Sequence, residues 1–238
     1  MASKLGGNLS KKRVNSKSRK PAATPVENKE KKSGTFHIEF LNAEQKNAWK
    51  VFDENDIIFC LGAAGCGKTF LSTAYACQAV LTKTKRKITL TRPIVEAQES
   101  LGFLPGSFEE KVGPYLMPMY DSLDELVGKV GFQRELLNKS IEIAPIAYLR
   151  GRSFKDSICL FDEAQNASYM GLKLFLTRIG TNSKLIINGD PDQSDLRGPV
   201  ALMDVIKRLE GVSRIGIINF SNKAIVRHPL ISSMLEKL

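Results

Sequence analysis

Gly62, Gly67, Lys68 and Thr69 stand at the spacing G-x-x-x-x-G-K-[ST] within the run FCLGAAGCGKT, residues 59–69. Each residue type has a chemical reason to be there. Glycines allow a turn tight enough for several backbone N–H groups to converge on phosphate oxygens, and the N-terminus of a following helix adds a favourable dipole. An ammonium at Lys68 suits the terminal phosphates of a nucleotide, and a hydroxyl at Thr69 suits Mg²⁺. The pattern is a phosphate-binding hypothesis that requires a strand before it and a helix after it.

A second apolar run, ICLFDE (158–163), ends in adjacent carboxylates. If it is a buried strand, Asp162 and Glu163 emerge at the carboxyl edge of a sheet, where a glycine loop would also open. Asp162 would then hold Mg²⁺ through water, and Glu163 would orient or deprotonate an attacking water. Taken alone, the two acids read equally well as a solvated loop start. A third run, KLIING (184–189), leads into Asp190-Pro-Asp-Gln193. The Gln193 amide suits a γ-phosphate or a lytic water, although Asp-Pro-Asp by itself nucleates an ordinary polar turn.

Positioning these groups requires a particular set of elements. Strands are predicted at 56–61, 87–92, 141–144, 157–162, 184–189 and 214–219, several of them continuous apolar runs of the kind covered on both faces in a parallel sheet. Helical stretches are predicted at about 42–53, 68–82, 110–138, 168–179, 199–210 and 229–237. The alternation implies an α/β fold with a doubly wound, mainly parallel sheet flanked by helices. Segment 93–139, punctuated by Gly102, Pro105, Gly106, Gly113, Pro114 and Pro118, reads as an elaborated insertion.

The chain has 238 residues and a net charge of +10. Residues 1–32 hold ten Lys or Arg against two Glu, a net +8 that leaves only +2 for the remainder. That segment is too poor in large apolar residues to offset its ordering entropy, so residues 1–34 are expected to be a disordered basic tail and 35–238 a single domain. The tail serves equally as a solubilising segment or as an arm for a phosphate backbone. No apolar run approaches the roughly 18 residues of a membrane span, and no secretion signal is expected, which gives the cytoplasm, bacterial or host, as the default address. Cys60, Cys66, Cys77 and Cys159 lack metal-ligand spacing and read as reduced thiols, Cys66 filling space inside the glycine loop.

GAAGCGKTFL, TRPIVEAQESLGFLPG, EKVGPYLMPMYDSL, IEIAPIAYLRGRSF, FDEAQNAS, LTRIG, NGDPDQSDL and VRHPL occur in that order from residue 62 onward. Together they resemble the PhoH family of P-loop ATPases, whose RecA-like core is similar to that of superfamily-one helicases. The resemblance implies ATP and Mg²⁺ as ligands, with the nucleotide held by Gly62, Ala63, Ala64, Gly65, Cys66, Gly67, Lys68, Thr69 and Phe70 and the metal by Thr69 and Asp162. It implies Lys68, Glu163, Gln193 and Arg227 as the catalytic set, Arg227 matching a position that resembles an arginine finger. Gln45 matches a glutamine that reads the adenine edge. Single-stranded nucleic acid, RNA before DNA, is the implied partner, with Arg92, Tyr148, Arg150 and Arg152 as contacts of the kind such strands use. A homo-oligomeric, hexameric ring would bring Arg227 to a neighbouring nucleotide. Departures from the family pattern are Ala63 and Cys66 for Pro and Thr, Gln98 for Gly, and Asn188 for Thr. A metal-dependent ribonuclease using Asp162, Glu163, Asp190 and Asp192, and an ATP-gated scaffold, remain the other readings.

Overall fold

A computed structural model of the chain describes residues 40–93, 139–193 and 201–221, together with Ile38, Met117, Asp121 and Asp124. Among the described residues six strands form one sheet: β1 (Ile57–Leu61), β2 (Lys87–Thr91), β3 (Ile141–Ile143), β4 (Ser157–Phe161), β5 (Lys184–Gly189) and β6 (Ile215–Asn219). Their order is β3-β2-β4-β5-β1-β6 and every pairing is parallel. The helices bounded within the described residues are α1 (Ala43–Glu54), α2 (Lys68–Leu81), α3 (Tyr169–Leu176) and α4 (Ala201–Leu209). The expected tail, the elements predicted at 229–237 and, apart from Met117, Asp121 and Asp124, at 110–138, and Gln98 lie outside the described residues.

Strand alternation divides the core into two layers. Ile58, Cys60, Ile88, Leu90, Ile158, Leu160 and Ile186 point to one face, where Phe52 of α1 and Leu71, Cys77 and Val80 of α2 cover them. Phe59, Leu61, Cys159, Phe161, Leu185 and Ile187 point to the other, beneath Leu172 and Phe175 of α3 and Leu202 and Val205 of α4. The fold is therefore doubly wound, as expected. Complete burial of Phe52, Phe59, Phe161 and Phe175 contributes roughly 1.5–3 kcal/mol for each side chain. Trp49 packs edge-on against Tyr75 and Phe52, fastening α1 to α2.

Parallel pairing has a direct consequence for the chemistry. β1 runs into Gly62, β2 into Arg92, β4 into Asp162 and β5 into Asp190, so all four segments leave the sheet at the same edge. α3 ends at Leu176 rather than 179 because the Thr177 hydroxyl donates to the Lys173 carbonyl at 2.8 Å, closing the last turn.

Candidate nucleotide site

The glycine loop connects β1 to α2 with Gly67 as the N-cap, at φ 87° in the left-handed region. A Cβ there would stand 3.1 Å from the Gln45 Nε2 atom, and one at Gly62 (φ 150°) would stand 2.9 Å from the Phe220 Cβ. Conformation favours glycine at both positions, and at Gly62 the close approach of Phe220 leaves no room for a Cβ as well. Lys68 folds back over the loop, its Nζ donating to the Gly62 carbonyl at 2.5 Å and the Ala63 carbonyl at 2.9 Å. The Cys66 side chain is buried, with Sγ 3.8 Å from the Lys68 Nζ.

Across the cleft, Asp162 is almost fully buried. The Thr69 hydroxyl donates to its Oδ1 at 2.8 Å, and the Asn188 Nδ2 donates to the same oxygen at 3.2 Å and to the Ser72 Oγ at 2.9 Å. Burial pushes the Asp162 carboxyl above its ordinary range; the Thr69 hydrogen bond opposes this, the Glu163 charge adds to it, and Asn188 and Arg92 oppose it again. Among the described residues the Asn188 Oδ1 is buried without a hydrogen-bond partner. A buried carboxylate beside a hydroxyl and an unsatisfied amide oxygen is a hard oxygen set that suits a hydrated divalent cation.

Glu163 follows in the left-handed region at φ 52°, a conformation that costs a residue with a Cβ about 1 kcal/mol. Both of its oxygens are engaged. The Gln165 Nε2 donates to Oε2 at 2.6 Å, and the Arg92 Nη2 lies 3.5 Å from Oε1. The Gln165 Oε1 in turn accepts from the Asp190 N–H at 3.0 Å, and the Asp190 Oδ2 accepts from the Ala64 N–H at 3.0 Å. A polar relay therefore ties the ends of β4 and β5 to the glycine loop. These groups enclose a cleft of about 240 Å³ lined by Lys68, Thr69, Phe70, Asp162, Glu163, Asn188 and Gln193, among others. The Gln193 N–H donates to the Asp190 carbonyl at 3.2 Å, closing the Asp-Pro-Asp turn.

A family model for PhoH-like proteins matches residues 37–238. The chain belongs to the PhoH-like protein family. It is 46% identical over 184 residues to the PhoH-like protein of Bacillus subtilis, covering 76% of this chain and 58% of that one. It is 42% identical over 200 residues to Protein PhoH of Escherichia coli K12, covering 82% and 56%. The chain thus spans a little over half the length of these curated relatives. Among solved structures, the large terminase of a thermophilic bacteriophage superposes with a TM-score of 0.56 at 13% identity, covering 84% of this chain and 50% of that one. That likeness is one of fold, the P-loop NTPase fold.

The other residues singled out in this PhoH-like sequence fall in several places. Gln45 is buried in the first turn of α1, its Oε1 accepting from the Leu41 N–H at 2.9 Å and its amide nitrogen facing Gly67. Tyr148 and Arg150 are exposed at a short 3₁₀ turn (Ile146–Leu149) just after β3. The Arg152 guanidinium grips both oxygens of Glu142 at 2.8 Å, and Lys87 joins the same carboxylate. Arg227 lies outside the described residues. Gln165 and the partnership of Asn188 with Asp162 were not anticipated. The available signal for Gln165 was its place two residues after Glu163, where a buried amide must satisfy both of its ends.

Proposed function

We propose that this cleft binds ATP with Mg²⁺ and hydrolyses it, in a cytoplasmic protein that couples turnover to single-stranded nucleic acid, RNA in preference to DNA. The observation that carries the reading is the meeting of the glycine loop, Lys68 and Thr69 with Asp162 and Glu163 in one 240 Å³ cleft. Backbone N–H groups of the loop and the α2 N-terminus bind phosphate. Lys68 exchanges the carbonyls of Gly62 and Ala63 for phosphate oxygens, and Gln45 meets the adenine edge beside Gly67. Thr69 and Asp162 hold the metal, which supplies positive charge against the phosphate oxygens when bound. Glu163 orients the attacking water, and Gln193 contacts the γ-phosphate from the end of β5. Arg227 completes the site of a neighbouring subunit in a homo-oligomeric, hexameric ring. Asp190, which a ribonuclease reading would assign to metal, instead has its carboxylate committed to the N–H groups of Ala64 and Asp192.

The test is steady-state ATP hydrolysis by wild type and Lys68→Ala, with and without single-stranded RNA, single-stranded DNA and duplexes. Magnesium-dependent turnover stimulated most by single-stranded RNA, and reduced about 100-fold or more in Lys68→Ala, is the expected result. Equal turnover by the two proteins would refute the site.

A further inference from the structure

Arg92 and Arg152 both pair with glutamates, and the pairs are built very differently. Arg152 makes two hydrogen bonds of 2.8 Å to Glu142. Arg92 approaches Glu163 through a single 3.5 Å contact, with side chains 24% and 39% exposed. A long, partly exposed pair of this kind contributes little net stability and yields readily to a competing anion. Its position gives that weakness a consequence. Thr91 pairs with Phe161, and the Asp162 N–H donates to the Thr91 carbonyl at 2.9 Å, so Arg92 emerges beside the residue that should orient water. Pro93 restricts the Arg92 backbone to extended conformations, leaving the side chain as the part free to move.

We propose that Arg92 is a positioning residue that restrains Glu163 in the resting enzyme and releases it when the phosphate backbone of a single-stranded polynucleotide takes the guanidinium. The proposal rests on the ATP-hydrolysis reading above. While Arg92 occupies Oε1 and Gln165 holds Oε2, both carboxylate oxygens are engaged by protein donors. Removing the cation frees one oxygen for water and leaves the hydrogen bonds of Lys68, Thr69 and Asp162 in place, while also taking away a positive charge that acts on Asp162. The neighbouring strand end indicates what removes it. The Ala144 N–H donates to the Leu90 carbonyl, so β3 ends on the strand next to the one that carries Arg92, and the segment that follows it exposes Tyr148 and Arg150. An exposed ring and cation in the segment after the neighbouring strand, together with a weakly held arginine, suit a flexible, phosphate-rich strand.

The experiment measures ATP turnover by full-length wild type, Arg92→Ala and Arg92→Gln with and without poly(U), alongside direct binding of a fluorescent poly(U) oligomer. Both variants should show a basal kcat raised about threefold or more, a KM for ATP within roughly twofold of wild type, and no further stimulation by poly(U). Arg92→Lys should keep part of the stimulation, since it restores the charge without the planar fork. A purely structural lesion would lower kcat or raise KM instead. If wild type turns over ATP but both variants have a basal kcat equal to or below it, the restraint is refuted; if basal kcat rises while full stimulation persists, the release by polynucleotide is refuted. A wild type with no ATP turnover would overturn the underlying functional reading instead.

Discussion

Along the amino edge of the sheet, charged groups are answered by neighbours, whereas at the carboxyl edge Asp162 is buried beside a hydroxyl and an amide. Arg214 embraces the Asp56 carboxylate, holding it below its ordinary range. Lys85 donates to the carbonyl and side chain of Asn182, and Lys184 donates to the carbonyls of Phe52 and Asn55 at the end of α1. Opposite charges and capped carbonyls there serve the fold. At the carboxyl edge burial instead raises the Asp162 carboxyl, and the Asn188 Oδ1 is buried with no hydrogen-bond partner among the described residues. The contrast teaches that the charges along one edge are paired or set against carbonyls of the chain itself, while at the other a carboxylate and an amide oxygen stay desolvated, an arrangement suited to a ligand.

Asp162→Asn gives the sharpest break in this contrast. It removes a buried charge while keeping an oxygen for Thr69, so the melting temperature of the ligand-free protein should rise by about 2–4 °C, corresponding to roughly 1 kcal/mol. Magnesium-dependent ATP turnover should fall by about 100-fold or more in the same protein. The sign follows from linkage: a carboxyl whose folded pKa is raised makes the folded state lose relative stability as pH rises past its ordinary value, and asparagine escapes that loss. Thermal melts and turnover measured together check both halves, and a less stable Asp162→Asn would remove the distinction between the edges.

Lys184 offers a smaller effect at the amino edge. Burial pulls its pKa down to about 8, so between about 8 and 10.5 the unfolded chain binds the extra proton and native stability gains as pH rises. The melting difference between wild type and Lys184→Met should therefore move in wild type's favour across that window, by on the order of 1 kcal/mol. A difference that stays flat with pH would contradict the burial of that charge.

Glu142 on edge strand β3 gives the smallest effect. Arg152, with Lys87 beside it, holds its pKa at about 2, and this stabilisation is present above the ordinary carboxylate range and lost as pH falls toward about 2. Because the pair is partly exposed, Glu142→Gln should cost below about 1 kcal/mol at neutral pH. Denaturant titrations at neutral pH and near the shifted pKa should show the gap closing.

Much of the fold was legible because it is written locally. The strands lie within one residue of their expected bounds, since apolar runs are cut off by Gly62, Arg92, Asp162 and Asp190, and the glycine loop follows from spacing alone. Strand order was not written in any one segment. β4 and β5 insert between β1 and β2, and that choice brings Arg92 against Glu163 across 71 positions of sequence. Gln45 illustrates the same limit: its helix and cap are local, with Asn42 accepting from its N–H, but its burial against Gly67 exists only once α1 packs on the loop. Gln165 looks like any polar residue after a strand until Glu163 and Asp190 are seen at its two ends.

The proposed role of Glu163 is to activate water in a cleft that binds nucleotide through other residues. Equilibrium binding of Mg²⁺-ATP and its steady-state hydrolysis by Glu163→Gln test this most directly. Affinity should stay within about threefold of wild type, since phosphate and metal contacts are intact, while kcat should fall by roughly 100-fold or more. Hydrolysis at the wild-type rate with intact binding would contradict it.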